Sequence, residues 1–426
     1  MNYYSLHHKA PKVSFEEAVI KGLAPDRGIY FPENITPLSN EFIKNISNYS
    51  HEEIAFEAIQ QFVGDEIPIA ILKEIIAETL SFDFPIVPIE ENIGTLELFH
   101  GPTMAFKDVG ARFMARCLGY FNRDKDESVT VLVATSGDTG GAVANGFLGV
   151  KGVDVVILYP SGKVSEIQEK QLTTLGQNIT ALEVDGVFDD CQEMVKTAFL
   201  DTEIKRTLTS ANSINIARWL PQMFYFFFAY KAMHQQHKKL VFSVPSGNFG
   251  NICAGIMAQK LGLPIQHFIA ATNVNDTVSN YLESGNYTPK KSIATISNAM
   301  DVGNPSNFIR IQELYGNDLE TIKKHFSSYS FTDSETKIAM KKLYDETNYI
   351  ADPHGAVGYL GLKNHELKDA YGIFLETAHP VKFLPTVEST LSRKIDIPEQ
   401  IQEIMHKAKK AHFITDYEGL KQFLME

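Results

Sequence analysis

The spacing of hydrophobic residues changes along this chain, and the first region, residues 1–85, has mainly helical spacing. Apolar residues recur every three or four positions there, as on the buried face of an amphipathic helix. Ser14 is a good N-cap, with Glu17 three residues later as in a capping box. The pattern predicts helices over 15–23, about 51–63 and about 66–79, and a proline-containing connector over 83–88.

The middle of the chain alternates short β-branched runs with helical patterns. A buried strand followed by a helix, repeated in this way, is typical of a parallel sheet covered on both faces. The predicted strands are 129–134, 153–159 and 179–184; the predicted helices begin at Ala142, run from a capping box at Ser165 and Gln168 to Gly176, and run from Asp189 to Leu200.

A second strand-and-helix region follows a strongly apolar helix at 220–234. Its predicted strands are 240–244, 267–271 and 372–375, and a helix is predicted over 252–261. We therefore expect two open parallel-sheet α/β domains with a helical N-terminal region. The expected divisions are 1–90 (mainly helical), 91–215 (a smaller α/β domain) and 216–426 (a larger α/β domain with a helical tail).

Composition narrows the class of protein. Among 426 residues, 39 Lys plus Arg against 52 Asp plus Glu give a net charge of -13, which argues against a nucleic-acid or anionic-membrane surface. The three cysteines, Cys117, Cys191 and Cys253, form no CxxC pair, so we expect free thiols in a reducing compartment and no metal site. The first residues show no basic stretch followed by an apolar run, so a cytoplasmic protein is expected.

Two glycine-rich turns join a predicted strand to a predicted helix, PSGNFGN at 245–251 and TSGDTGG at 135–141. Ligands of open α/β sheets lie beyond the carboxyl ends of the strands, and the first amides of a helix bind anions. Each turn can hold a phosphate or a carboxylate. Each can equally be a tight turn without a ligand, with Asp138 a helix cap.

Two further stretches carry residues suited to catalysis, HGPTMAFKDVG at 100–110 and LETAHPVKF at 375–383. Lys107 stands among small and apolar residues, and a buried lysine loses proton affinity, as a Schiff-base lysine requires. Taken alone, a surface lysine at a helix start is the commoner case. Thr377 can offer a hydroxyl to a ring nitrogen or simply satisfy its own turn.

Nine stretches in order, covering nearly the whole chain, resemble the short bacterial and fungal branch of the threonine synthase family. They are GLAPDRGIYFP (22–32), HGPTMAFKDVG (100–110), ATSGDTGGA (134–142), GKVSEIQEKQ (162–171), ANSINIARWLPQ (211–222), PSGNFGN (245–251), AMDVGNPSNF (299–308), DPHGAVG (352–358) and ETAHPVKF (376–383). The resemblance implies a pyridoxal-phosphate enzyme of fold type II, similar to tryptophan synthase β.

Specific roles follow from that resemblance. Lys107 is implied to carry pyridoxal phosphate as a Schiff base, and Thr377 to face the pyridine nitrogen. Asp138 matches the threonine synthase branch where related dehydratases carry Asn, which leaves its protonation state open. The cofactor phosphate is implied to lie on Gly247, Asn248, Phe249, Gly250 and Asn251, and the substrate carboxylate near Thr135, Ser136 and Thr139.

The implied reaction converts O-phospho-L-homoserine and water to L-threonine and phosphate, in a monomer or a homodimer. Candidate residues for the substrate phosphate are Lys163, Ser213, Asn215 and Arg218, with Arg112 behind them. His100, His354 and His379 are left without a chosen role. One alternative is a phospho-lyase that releases phosphate and 2-oxobutyrate from the same substrate; another is an inactive homologue that binds a metabolite or partner.

Overall fold

A computed structural model describes residues 1–236 and 238–426, in two open sheets and a helical N-terminal region. The elements up to the smaller sheet's last helix are β1 (Tyr3–Ser5), α1 (Phe15–Lys21), β2 (Tyr30–Pro32), α2 (Asn40–Lys44), α3 (His51–Val63), α4 (Ile69–Thr79), β3 (Ile86–Glu90), β4 (Ile93–Glu97), α5 (Lys107–Asn122), β5 (Val129–Ala134), α6 (Asp138–Phe147), β6 (Val153–Pro160), α7 (Glu166–Thr173), β7 (Ile179–Val184) and α8 (Phe188–Leu200).

The remaining elements complete the larger sheet, add strands β8 and β13 to the smaller one and form a helical tail. They are β8 (Thr207–Thr209), α9 (Ile216–Trp219), α10 (Phe224–Met233), β9 (Lys239–Pro245), α11 (Gly250–Lys260), β10 (Ile265–Thr272), α12 (Thr277–Ser284), α13 (Phe308–Leu314), α14 (Leu319–His325), β11 (Phe326–Ser330), α15 (Asp333–Thr347), α16 (Pro353–Lys363), β12 (Ala370–Glu376), α17 (Leu384–Leu391), α18 (Glu399–Met405), β13 (His412–Ile414) and α19 (Tyr417–Met425).

The N-terminal helices follow their sequence patterns closely. The Ser14 side chain accepts the Glu17 amide at the start of α1, and Ser50 with Glu53 forms a full capping box for α3. Helix α3 covers the predicted range 51–63. Helix α4 begins at Ile69 rather than 66, because Pro68 is its N-cap and a 3-10 turn over Gly64–Glu66 precedes it.

The larger sheet has six strands in the order β11-β10-β9-β12-β4-β3, and all its neighbours are parallel except β3 and β4. The predicted connector at 83–88 is wrong in its second half, because Ile86–Glu90 is strand β3. Pro88 is tolerated there because β3 lies at the edge of the sheet, where a missing N–H breaks no ladder.

The smaller sheet has five strands in the order β13-β7-β6-β5-β8, all parallel. The strands predicted at 129–134 and 179–184 are confirmed without a shift. Helix α6 begins at Asp138, four positions before the predicted Ala142. Its glycines favour a turn in isolation, but a Cβ on Gly140 would lie 2.6 Å from Thr135 Cγ2, so close packing selects glycine inside the helix.

Each sheet contains strands from more than one of the three divisions predicted from the sequence. Strands β3 and β4 lie in the larger sheet beside β12, and β13, near the C-terminus, pairs with β7 in the smaller one. The division into 1–90, 91–215 and 216–426 stays a prediction.

The apolar segment at 220–234 is central, as predicted, but it is not one helix. A 3-10 turn over Leu220–Met223 precedes α10, and Phe224 to Ala229 are buried. The three cysteines are buried free thiols. Within the described residues, every helix is too short or too polar to span a membrane.

Candidate active site

A cleft of about 700 Å³ lies where the carboxyl ends of β5, β9 and β12 meet residues from the N-terminal region. It brings together most of the predicted site residues. Its lining includes Lys107, Thr135, Ser136, Asp138, Thr139, Ser213, Arg218, Gly247, Asn248, Phe249, Gly250, Asn251 and Thr377. Lys163 and Asn215 do not line it.

Backbone pairing sets Lys107 beside Thr377, although 270 positions separate them in sequence. Ala105 and Ala378 form an antiparallel bridge, and the Phe106 amide donates to the Thr377 carbonyl at 2.9 Å. The Tyr225 hydroxyl donates to the Phe106 carbonyl. Lys107 therefore begins α5 in a fixed position next to the end of β12.

The surroundings of Lys107 favour its neutral amine. Burial lowers the pKa of Lys107, and the nearby cations of Lys382 and Arg218 lower it further. Asp138 opposes them, with its Oδ2 4.0 Å from Lys107 Nζ. An amine that loses its proton readily is what condensation with an aldehyde requires.

The surroundings of Asp138 favour its carboxylate form. Burial disfavours its charge, but Lys382, Lys107 and two side-chain hydrogen bonds together lower the pKa of Asp138 below its usual range. Lys382 Nζ lies 2.7 Å from Asp138 Oδ1, and Gln168 Nε2 donates to the same oxygen at 3.0 Å. Sequence reasoning missed Lys382; its place in ETAHPVKF, five residues after Thr377, was the only available indication.

Thr135 shapes the turn that leads into α6. Its Oγ1 accepts the amides of Gly137 at 3.0 Å and Gly140 at 2.8 Å, so this hydroxyl is already used within the protein. Ser136 and Thr139 also line the cleft. Of the three predicted carboxylate contacts, these two are the better placed to offer a side-chain hydroxyl to a ligand.

The PSGNFGN turn is held by contacts with the rest of the cleft wall. Phe249 adopts φ 61°, the left-handed conformation, and α11 begins at Gly250, two residues before the predicted Ile252. Asn248 Nδ2 donates to Ser213 Oγ at 2.8 Å, and Asn251 Nδ2 donates to the Pro245 carbonyl at 2.8 Å. The first turn of α11 presents backbone amides suited to an anion.

Gly247→Ala should damage this turn. An added Cβ would lie 2.6 Å from the Ala299 carbonyl oxygen and 2.8 Å from Met300 Cα, and neither backbone atom can rotate away. We expect the free energy of unfolding to fall by about 1–3 kcal/mol and pyridoxal-phosphate affinity to fall with it. Thermal unfolding and a titration followed by visible absorbance measure both.

Gly419→Ala in α19 is the matched control, because its added Cβ meets nothing closer than Ile414 Cβ at 3.3 Å. Alanine is the better helix former, but its Cβ lies close to Ile414, so the two effects oppose each other and stability should change far less than in Gly247→Ala. Unchanged stability and cofactor affinity in Gly247→Ala would contradict the close packing described here.

Arg218 is the most unusual cation of the cleft. It is only 3% exposed, yet its Nε and Nη1 have no hydrogen-bond partner within residues 1–236 and 238–426. Burial lowers the pKa of Arg218 to about 10, so the group stays charged at neutral pH. A buried, unpaired guanidinium is costly unless an anion completes it.

The other predicted phosphate contacts are less favourably placed. Lys163 is exposed, and the Asn215 amide donates to the carbonyls of Val19 and Ser210 while its oxygen caps α9. Arg112 donates to the Glu78 carbonyl, away from the cleft. Sequence reasoning missed Asn212, which lines the cleft with a buried Oδ1 that lacks a partner among the described residues.

The three histidines of the motifs have distinct surroundings. His354 lines the cleft, with Nδ1 2.5 Å from Asp352 Oδ1, and its Nε2 accepts the Ala299 amide at 3.2 Å. His379 caps the 3-10 turn over Pro380–Phe383. His100 is exposed and contacts Glu97 at 2.7 Å. Only His354 borders the cleft, where it braces the loop against which Gly247 packs.

Comparison with known proteins agrees with this geometry. Residues 95–373, more than half of the chain, match the family model described as pyridoxal-phosphate dependent enzyme. Residues 2–80 match the threonine synthase N terminus and residues 355–424 the threonine synthase C-terminal region. The threonine synthase of Escherichia coli is 44% identical, and the alignment covers 100% of this chain and 99% of that protein.

The chain belongs to the threonine synthase family. The crystal structure of the Escherichia coli threonine synthase superposes with a TM-score of 0.94 at 43% identity, covering 100% of this chain and 99% of that one. The structure of PLP-bound threonine synthase from Brucella melitensis gives 0.94 at 34% identity, covering 100% and 99%. Threonine synthesis with pyridoxal phosphate as cofactor is therefore the function of the chain.

The residues of the cleft fit that cofactor. Lys107 offers a buried amine with a lowered pKa for the aldehyde, and the first turn of α11 offers amides for the phosphate. Thr377 lines the same cleft with a neutral hydroxyl, a group that a ring nitrogen can bind. Membership of the threonine synthase family thus explains why the start of α5, the first turn of α11 and the residue after β12 converge on one cleft.

Proposed function

We propose that the chain converts O-phospho-L-homoserine and water into L-threonine and phosphate, the last step of threonine biosynthesis, in the cytoplasm. The observation that carries the proposal is the buried guanidinium of Arg218, in the same cleft as Lys107, whose Nε and Nη1 have no hydrogen-bond partner in the described part of the chain. A substrate with a phosphate at one end and an amino acid at the other needs a cation at a distance from the reacting amine. We propose a monomer or a homodimer.

We assign the cofactor to Lys107 as its covalent anchor, to Gly247, Asn248, Phe249, Gly250 and Asn251 for its phosphate, and to Thr377 for its pyridine nitrogen. Pyridoxal phosphate, when bound, withdraws electrons from the α-carbon of the substrate. A neutral hydroxyl partner such as Thr377 leaves the ring nitrogen largely unprotonated and so moderates that withdrawal.

Lys107 then acts as the acid and base of the proposed reaction. Its amine takes a proton from the substrate α-carbon and exchanges protons at the β-carbon. The lowered pKa of Lys107 supports this role, because an amine works as a base only when it is deprotonated. Asp138 and Lys382 form a charge-balanced pair beside it.

We assign the substrate phosphate to Arg218 and Ser213, with the neighbouring Asn212 added from the structure. The substrate carboxylate is assigned to Ser136 and Thr139, with Thr135 holding the turn that presents them. Lys163 and Asn215 were also predicted from the sequence to contact the substrate phosphate. Lys163 would need a closing movement of the smaller sheet to reach the cleft, and Asn215 supports Arg218 through the cap of α9.

Product analysis tests the proposal. Purified protein loaded with pyridoxal phosphate is given O-phospho-L-homoserine, and phosphate, threonine and 2-oxobutyrate are all quantified. Equal amounts of phosphate and threonine are expected. Phosphate with 2-oxobutyrate would support the phospho-lyase alternative, and a protein that takes up no cofactor would support the inactive homologue.

A further inference from the structure

A buried ion pair crosses the cleft beside Lys107. Lys382 comes from the turn after β12 of the larger sheet, and Asp138 is the first residue of α6, next to the smaller sheet. The Lys382 side chain is 0% exposed and that of Asp138 is 4% exposed, with 2.7 Å between Nζ and Oδ1. Lys382 Nζ also donates to the Thr103 carbonyl at 2.9 Å.

Two lysine ammonium groups, those of Lys382 and Lys107, lie near the Asp138 carboxylate. Its Oδ1 is bound by Lys382 and by Gln168, whereas Oδ2 stays 4.0 Å from Lys107 Nζ, too far for a hydrogen bond. A carboxylate without Lys382 would be left with Lys107 as its nearest cation. A direct ion pair would then hold Lys107 in its protonated form, which cannot attack an aldehyde.

We propose that Lys382 is a positioning residue, because it holds Asp138 Oδ1 and so keeps the carboxylate from forming an ion pair with Lys107 Nζ. Its positive charge also balances the negative charge of the buried Asp138 on that side of the cofactor site. The inference rests on the proposed role of Lys107 and adds a residue to it. Asp138 and Lys382 are therefore one unit, and each is expected to be harmful without the other.

The charges around Lys107 give the sign of the expected effect. Asp138 from α6 and Asp352 before α16 favour its protonated form, whereas Lys382 from the turn after β12 and Arg218 from α9 disfavour it. Asp108 of α5 is buried close to Lys382 and hydrogen-bonded to Thr103. Removing Lys382 takes away a repulsion and frees Asp138, so both changes raise the pKa of Lys107.

The test measures the pH dependence of Lys107 acetylation in the full-length chain stripped of cofactor. Trace acetic anhydride and peptide mass spectrometry report the fraction of neutral amine at position 107. In Lys382→Met the midpoint should rise by about one pH unit or more, a shift typical of a charge at this range. Lys382→Arg should restore most of the wild-type midpoint. The visible absorbance of the cofactor-loaded protein should titrate at a higher pH as well.

Matched variants separate this role from a merely structural one. Lys409 also lies 2.7 Å from a carboxylate, Glu169, but outside the cleft, so Lys409→Met should leave the Lys107 midpoint unchanged. Asp138→Asn should lower the midpoint, and Asp138→Asn with Lys382→Met should raise it again. The rise in the double variant should be smaller than in Lys382→Met alone, because no carboxylate is left at position 138 to close on Lys107. If Lys382→Met fails to fold, Lys382→Gln replaces it: its amide can hydrogen-bond in the buried position but leaves Asp138 without its cation, so the midpoint should still rise.

An unchanged midpoint in Lys382→Met, or an equal rise with and without the Asp138 carboxylate, overturns the inference. The proposed function fails in a different way: wild-type protein would then form no threonine, or borohydride reduction would leave the pyridoxyl group on another lysine. The two failures are therefore distinguishable.

Discussion

Lys107→Ala should lower threonine formation by at least about 10³-fold, because one side chain is proposed both to anchor the cofactor and to move protons at the substrate. General acid–base catalysis alone contributes about 10²–10⁴-fold. The Lys107 amine lies 4.0 Å from Asp138 Oδ2, too far for a hydrogen bond, so the fold should survive the loss of this side chain. Turnover of O-phospho-L-homoserine and circular dichroism measure the two effects.

Lys151→Ala is the matched control for that variant. Lys151 is exposed in the turn after α6 and outside the cleft, so both turnover and cofactor attachment should match the wild type. After borohydride reduction, peptide mapping should find the pyridoxyl group at position 107 in the wild type and in the control. Threonine formation at the wild-type rate in Lys107→Ala would show that the wrong lysine was assigned.

Arg218→Met should lower kcat/KM by roughly 10²-fold or more, because hydrogen bonds to charged groups contribute about 1.5–3 kcal/mol each. Most of the loss should fall on KM, and inhibition by inorganic phosphate should weaken in parallel. Stability should not fall, since the variant removes a buried charge whose Nε and Nη1 have no partner among the described residues. Steady-state kinetics and denaturant unfolding test both statements.

Arg310 provides the contrast, because it is a buried arginine used for structure. Its guanidinium donates to the carbonyls of Tyr30 at 2.9 Å and Ile214 at 2.7 Å. Arg310→Met would leave these acceptors unpaired, so the free energy of unfolding should fall by more than about 3 kcal/mol. A larger loss of stability in Arg218→Met than in Arg310→Met would contradict the assignment of Arg218 to an anion.

Secondary structure was predictable where burial on both faces imposes a strong pattern. Val129–Ala134 is a central strand of the smaller sheet, and its continuous apolar run gave its bounds. Ile86–Glu90 was missed because it is an edge strand without a fully buried residue, and because Pro88 within it and Pro85 before it suggested a connector. Helix α6 was placed late, because the preference of glycine for turns is local while its role in close packing is not.

Some residues of the candidate site were predicted from the sequence and others were not, because motifs are local while side-chain burial depends on the fold. Lys107 and Thr377 were found through motifs, and a backbone bridge brings them together. Lys163 was expected to contact the substrate phosphate but is exposed and does not line the cleft. Lys382 was overlooked, because a lysine in a sequence gives no indication that its charge will be fully buried.

The sequence by itself determined the alternation of strands and helices, the glycine turns at the strand ends and the family to which the chain belongs. Those properties depend on the local spacing and the order of residues, which the sequence shows directly. The tertiary structure alone decided which charges meet: that the surroundings of Asp138 favour its carboxylate, that Lys382 pairs with it, and that Arg218 Nε and Nη1 have no partner among residues 1–236 and 238–426. Charge states depend on burial and on neighbours brought together from distant segments, so no local pattern encodes them.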